Sequence, residues 1–141
     1  MKLKTAIIMT LTTLLATSCC PCRKGKTDAT PLTGTTWKAM VLDLNGSNTV
    51  ITDSSEGYTL VISEGRINGQ GDCNSYFGSF SLENGKISVS GMGSTKAMCP
   101  DQEREDKFLQ IIATANGYSI EGDRLMLLCD GRVTAIFKAL K

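Results

Sequence analysis

The chain contains no histidine, and that one absence excludes several kinds of chemistry. Without an imidazole there is no Ser-His-Asp or Cys-His catalysis, and none of the zinc sites that need a histidine ligand. An excess of one charge is missing too. Fifteen Lys and Arg stand against 14 Asp and Glu, a formal net of +1, so no field gathers nucleic acid or an acidic substrate. No apolar run reaches the roughly 20 residues that a membrane-spanning helix needs. What is present is a hydrophobic share of 41% in 141 residues, enough for one domain with a real core and too much for a disordered chain.

The N-terminus has a separate logic. Lys2 and Lys4 precede an apolar stretch from Ala6 to Ala16, broken only by threonines, and small residues follow. This is the layout of a secretory signal. "ATSC", Ala16 to Cys19, resembles the lipobox of bacterial lipoproteins, in which the cysteine is diacylated and the chain is cut just before it. Ala16 stands where that pattern prefers leucine, and Ala16 with Ser18 would also suit ordinary small-x-small cleavage at the same bond. A cysteine directly after the bond favours lipidation, since two or more acyl chains give stable anchoring. The expected organisation is a signal peptide over 1–18, a lipidated Cys19 with a polar tether over 19–31, and a domain over 32–141. The tether holds Arg23, Lys24 and Lys26, which either lie against anionic headgroups or simply solvate a linker. Neither an aspartate after Cys19 nor an acidic run follows, so the outer membrane, on its periplasmic side, is the expected location.

From Trp37 onward, short apolar runs alternate with turn signals. Strands are expected at Thr36 to Leu44, Tyr58 to Glu64, Arg66 to Gly69, Ser75 to Glu83 and Lys86 to Ser90. Asn84-Gly85 sits where a two-residue hairpin turn wants positive φ at both positions. "PDQEREDKFLQIIATANG" breaks the pattern. Pro100 and Asp101 open it, acids crowd its first turn and Asn116-Gly117 close it, which together specify a helix. Phe108, Leu109, Ile111, Ile112 and Ala115 recur at helical spacing, so one face packs on a sheet, while Glu103 and Lys107 form an i,i+4 pair outside. Three more strands follow, with turns at Gly122-Asp123 and Asp130-Gly131. Such closely spaced strands pair antiparallel. The expected fold class is α+β, mainly β: a curved antiparallel sheet with one packed α-helix.

Four segments stand in a recognisable order: "LTGTTWKAMVL", "GRINGQGDCNSYFGSF", "STKAMCPDQEREDKFLQII" and "GDRLMLLCDGRVTAIFKAL". Together, from Leu32 to Leu140, they resemble the META domain of HslJ-like proteins. The matching positions are Gly65, Gly69, Cys73, Asn74, Phe77 and Gly78, then Ser94, Thr95, Met98 and Cys99. Asp72 stands where the family has a glycine, with Gly71 one place earlier. The resemblance implies a cracked small barrel with one helix, in envelope lipoproteins that have no firmly attached reaction and some links to heat-shock and stress responses.

Cys73 can be read three ways. A nucleophile would need a base, and only a lysine such as Lys96 is on offer. A zinc site built on Cys73 and Cys99 would need two more ligands, and neither cysteine lies in a Cys-x-x-Cys spacing. Export to an oxidising envelope favours a Cys73–Cys99 disulfide tying the hairpin region to the helix, against the alternative of two reduced, buried thiols. Cys20 and Cys22 flank Pro21 too closely for an unstrained bridge and would join another chain, capture a soft metal or do nothing, and Cys129 is expected in the core. The acids Asp101, Glu103, Glu105 and Asp106 read as a solvated face favoured by the helix dipole. Trp37, Tyr58, Tyr76 and Phe77 read as core more than as a ligand groove. Met92, Met98 and Met126 read as packing. The expectation is a non-catalytic, monomeric, lipid-anchored envelope protein with an interaction or stress-protective role, an unidentified envelope protein as partner, and no cofactor, metal or nucleic acid. The alternative is a barrel that binds a small hydrophobic ligand.

Overall fold

The computed structural model describes residues 29–44, 46–50 and 57–141. The expected signal peptide, Cys19, Cys20, Cys22 and most of the expected tether lie outside the described residues. The strands are β1 (Thr36–Leu44), β2 (Ser47–Val50), β3 (Thr59–Ser63), β4 (Arg66–Gln70), β5 (Ser75–Glu83), β6 (Lys86–Ser94), β7 (Gly117–Glu121), β8 (Arg124–Cys129) and β9 (Arg132–Ala139), with one helix, α1 (Gln102–Thr114), between β6 and β7. The sheet runs β6-β5-β4-β3-β1-β9-β8-β7, and β2 pairs with β1 beside this path. Two meanders, β3 to β6 and β7 to β9, are thus joined through β1, and every pairing is antiparallel.

The hairpins follow from turn chemistry. Glu64-Gly65, Asn84-Gly85 and Asp130-Gly131 each adopt positive φ at both positions, which is what two-residue connections between right-twisted strands require. Irregularities bend the sheet. The register shifts between Ala39 and Val41 on β1, and around Gly78 of β5, so Met40, and Gly91 with Met92 opposite Gly78 on β6, sit at bulges that increase local curvature.

Curvature brings the two ends of the path, β6 and β7, near one another without a full ladder between them; the Ile87 amide donates to the Asn116 carbonyl at 3.3 Å. Helix α1 runs back along β6, from the end where β6 stops to the end where it starts, and its apolar face fills the sheet's concave side. Phe108 is fully buried, with ring centroids 4.7 Å from Tyr58, 5.5 Å from Tyr76 and 6.5 Å from Phe137. Ile111, Ile112 and Ala115 join it in a core that includes Trp37, Leu42, Leu60, Ile62, Leu125 and Leu127. Burying each large side chain contributes about 1.5–3 kcal/mol. The N-terminal side is docked too: Thr30 N–H donates to Gly122 O, Gly34 N–H to Ile62 O, and the Trp37 indole N–H to Leu32 O.

Cys129 and Met98 depart from the packing expected of them. Cys129 is half-buried beside the β8–β9 turn, because it ends its strand next to Asp130. Met98 is 98% exposed, because residues 95–101 form a connection without regular structure, held by other side chains.

Candidate functional site

The family-like positions Gly69, Cys73, Asn74, Thr95 and Cys99 converge at one end of the sheet, where β4 stops, β5 starts, β6 stops and α1 begins. The backbone between β4 and β5 makes a tight loop in which Gly71 N–H donates to Asn74 O at 2.6 Å. Gly69 and Gly71 permit the close approach that packs this loop. A Cβ at Gly69 would collide with the Thr59 carbonyl and stand 2.7 Å from Tyr76 Oη; one at Gly71 would stand 3.0 Å from the Glu105 carboxyl carbon.

Cys73 and Cys99 form a disulfide, with Cα atoms 5.7 Å apart. Asn74, only 4% exposed, ties the same two segments a second time. Its Oδ1 accepts from Thr95 Oγ1 at 2.7 Å and from Ala97 N–H at 2.8 Å, while its Nδ2 donates to Ala97 O at 3.1 Å. That Nδ2 also stands 3.2 Å from Cys99 Sγ and 3.5 Å from Cys73 Sγ. Thr95 Oγ1 in turn accepts from Ser75 N–H. A buried amide with its donors and acceptors paired makes one defined geometry far better than any other.

Glu105 is the correction to the solvated acidic face. It is 1% exposed, and its Oε2 accepts the Cys73 N–H at 3.0 Å and lies 3.1 Å from Cys99 Sγ. The neighbouring acids behave as expected. Asp101 caps the helix by accepting Arg104 N–H at 3.0 Å and pairs with the Arg104 guanidinium at 2.9 Å, and Glu103 pairs with Lys107 at 2.5 Å. The signal for Glu105 was its position: 105, 108, 112 and 115 fall on one helical face, and the other three are apolar.

Tyr58 Oη is a buried oxygen with no hydrogen-bond partner among the described residues. Burial first, and then the Asp72 carboxylate, push this phenol up to about 12, with Arg104 opposing and Asp101 and Glu105 adding to the rise. Tyr76 is pushed well above the usual phenol range by burial alone, and its Oη donates to Thr59 O at 2.7 Å. Beside the disulfide, an open cleft of about 480 Å³ is lined by Lys38, Thr59, Gln70, Gly71, Asp72, Cys73 and Leu140, among others.

The remaining family-like positions serve the fold in other ways. Gly65 supplies positive φ in the β3–β4 turn. At Gly78 a Cβ would stand 3.0 Å from Met92 Sδ and 3.1 Å from Ser90 O. Phe77 departs from the core expectation at 61% exposed, since period-two alternation turns Tyr76 inward and Phe77 outward. It is paired in register with Gly93 and its ring lies over that glycine. Ser94 pairs with Tyr76 at the end of β6.

Among the described residues, a nine-stranded, incompletely closed antiparallel barrel with one packed helix, whose lead-in is crosslinked to the β4–β5 loop, is therefore the class of domain. The profile of the META domain matches residues 30–141, and the chain belongs to that family. Membership points to a non-enzymatic, envelope-related protein. Among solved structures, the fold is similar to a protein from Burkholderia xenovorans studied by NMR, with TM-score 0.65 and 22% identity over 78% of this chain and 84% of that one. It is also similar to a DUF4847 family protein from Bacteroides vulgatus ATCC 8482, with TM-score 0.52 and 14% identity over 74% and 90%. At such identities the likeness is one of fold. No curated protein matches the sequence significantly.

Proposed function

We propose that this protein is a non-catalytic lipoprotein of the bacterial cell envelope. Cys19 carries the acyl chains after removal of residues 1–18, residues 19–31 act as a tether, and the META domain sits at the outer membrane facing the periplasm. There it works as a monomer through contacts with another envelope protein, in a stress-protective role.

The observation that carries this reading is the use of the interior. Trp37, Tyr76, Phe108 and Phe137 fill the concave side of the sheet, and Asn74 and the disulfide are engaged in fastening the β4–β5 loop to the connection between β6 and α1. This leaves the outer surface as the part available to a partner. The same filling weighs against a hydrophobic ligand held within the barrel, because Phe108 occupies that volume. Export also suits a domain with a disulfide, since such bonds persist in oxidising compartments.

Radiolabelled palmitate fed to cells expressing the native chain tests the anchor, with Cys19→Ala as control. Label on the native chain that disappears in the variant supports it; no label, or undiminished label on the variant, overturns it. Survival of a deletion strain under heat tests the protective role. Rescue by the native chain is expected, and survival equal to that of the parent without any rescue would refute it.

A further inference from the structure

The zinc reading of Cys73 and Cys99 founders, in the sequence, on missing ligands. The fold supplies one. Cys73 Sγ, Cys99 Sγ and a Glu105 carboxylate oxygen all lie within 4.8 Å of one another, at the N-terminal end of α1. We propose that the reduced form of this domain holds a thiophilic divalent cation of the zinc class on Cys73, Cys99 and Glu105, so that the disulfide and the metal are alternative occupants of one site. This goes beyond the anchoring and interaction reading and does not rest on it.

The geometry requires little movement. Tetrahedral zinc with Zn–S near 2.3 Å and Zn–O near 2.1 Å places its sulfurs about 3.8 Å apart and each sulfur about 3.6 Å from the oxygen. Cys99 Sγ already stands 3.1 Å from Glu105 Oε2, and Cα atoms 5.7 Å apart leave the two sulfurs free to separate by rotation about χ1. Two thiolates beside the Glu105 carboxylate would gather negative charge that a divalent cation neutralises. Asn74 Nδ2 faces both sulfurs, and the positive end of the helix dipole lies beside Cys99. The Cys73 N–H orients the carboxylate, as outer hydrogen bonds do for metal-ligating oxygens. Cys73 is exposed and borders the 480 Å³ cleft, which gives a reductant and a cation access and leaves room for water as a fourth ligand.

The chemistry balances with a dithiol or a phosphine as reductant. A dithiol's thiolate attacks exposed Cys73 Sγ, the S–S bond breaks, and Cys99 leaves as thiolate. The reductant's second thiol then displaces Cys73, two electrons having passed to the protein and the reductant ending as a disulfide. Binding replaces the two thiol protons, which go to solvent, by one divalent cation.

The test uses the full-length chain in mild detergent, with Cys19, Cys20, Cys22 and Cys129 replaced by serine so that Cys73 and Cys99 are its only thiols. It is reduced with a phosphine, which takes up the oxygen of one water as the disulfide becomes two thiols; the phosphine is then removed without air. Cadmium ion serves as the spectroscopic probe through its thiolate charge-transfer absorption, and zinc as its competitor. One equivalent bound by the reduced chain, none by the oxidised chain, and at least tenfold weaker binding in Glu105→Gln are expected. Exposed Asp106→Asn should bind as the parent does. If Glu105→Gln fails to fold, a cadmium-113 NMR shift for the parent in the range of two sulfur ligands with oxygen decides in its place. A reduced chain that takes no cadmium, equal binding by the oxidised chain, unchanged affinity in folded Glu105→Gln, or an all-oxygen shift would overturn the proposal.

Discussion

Replacing both Cys73 and Cys99 by serine removes a crosslink between residues 26 apart in sequence. In the chain-entropy treatment, a loop of that length lowers the entropy of the unfolded chain by about 12 cal/mol/K, which stabilises the folded state by about 3.5 kcal/mol at 25 °C. A domain of about 110 residues has an unfolding entropy near 0.23 kcal/mol/K, so the midpoint of thermal unfolding should fall by about 15 °C. The folded state should survive, because Asn74 still joins the loop before β5 to Thr95 and Ala97 through three hydrogen bonds of 2.7–3.1 Å. Since the effect acts on the unfolded chain, which expands once the crosslink is gone, the urea m-value should rise in the variant. The assay is urea and thermal unfolding followed by circular dichroism, with and without a phosphine reductant. Reduction should bring the parent to the variant's midpoint and leave the variant where it was. A loss below about 1 kcal/mol, or an equal shift of both proteins on reduction, would show that the crosslink does not restrain the unfolded chain in this way.

Two further substitutions test the packing of this end. Gly69→Ala should destabilise by more than about 2 kcal/mol, as overpacking against a backbone carbonyl does, because its Cβ meets Thr59 O and Tyr76 Oη; Gly85→Ala, with positive φ but nothing within 4 Å, should lose only about 1 kcal/mol. Equal losses in chemical denaturation would refute the steric account. Stability should also fall at high pH through Tyr58, whose phenol is raised to about 12. The unfolded chain loses that proton from about pH 10 and the folded chain does not, so up to about 2–3 kcal/mol is lost as pH rises from 10 to 12. Tyr58→Phe should flatten part of that decline and, by removing an unpartnered buried hydroxyl, hold or raise stability at neutral pH. Parallel declines for parent and Tyr58→Phe in urea melts across that range would contradict it.

The hairpins were legible because turn chemistry is local. Asn84-Gly85 and Asp130-Gly131 have the positive φ their residue types favour, and Ser75 to Glu83 forms a strand over the whole expected span. β2 was not legible, since Ser47–Val50 has neither apolar alternation nor β-rich composition over more than two residues; it is a strand because β1 offers it an edge. β6 runs on to Ser94 through two glycines that read as a stop. It continues because Phe77 covers Gly93 from the neighbouring strand, a contact no local window contains. Helix α1 was expected from its start and stop signals and its apolar face, but Glu105 was grouped with its acidic neighbours. Charge drew the reading outward where helical phase pointed inward.

That misplaced residue separates folding from function at this end of the molecule. Gly65, Gly69, Gly78, Asn74 and Thr95 are each explained by a turn, a close approach or a paired hydrogen bond, so the segments that mark the family describe how the domain is built. A fold-forming motif of this kind identifies relatives without identifying what they do. Glu105 is different in kind. A carboxylate removed from water costs free energy unless its partners compensate, and an aliphatic side chain on the same helical face would have served the core without that cost. The partner given to it here is the backbone N–H of Cys73, and beside it lies the sulfur of Cys99. Both belong to residues of the crosslink, and the sulfur turns from a disulfide sulfur into a thiol when the bond is opened. A buried carboxylate already oriented against that bond is what the proposed exchange of crosslink for cation would draw on.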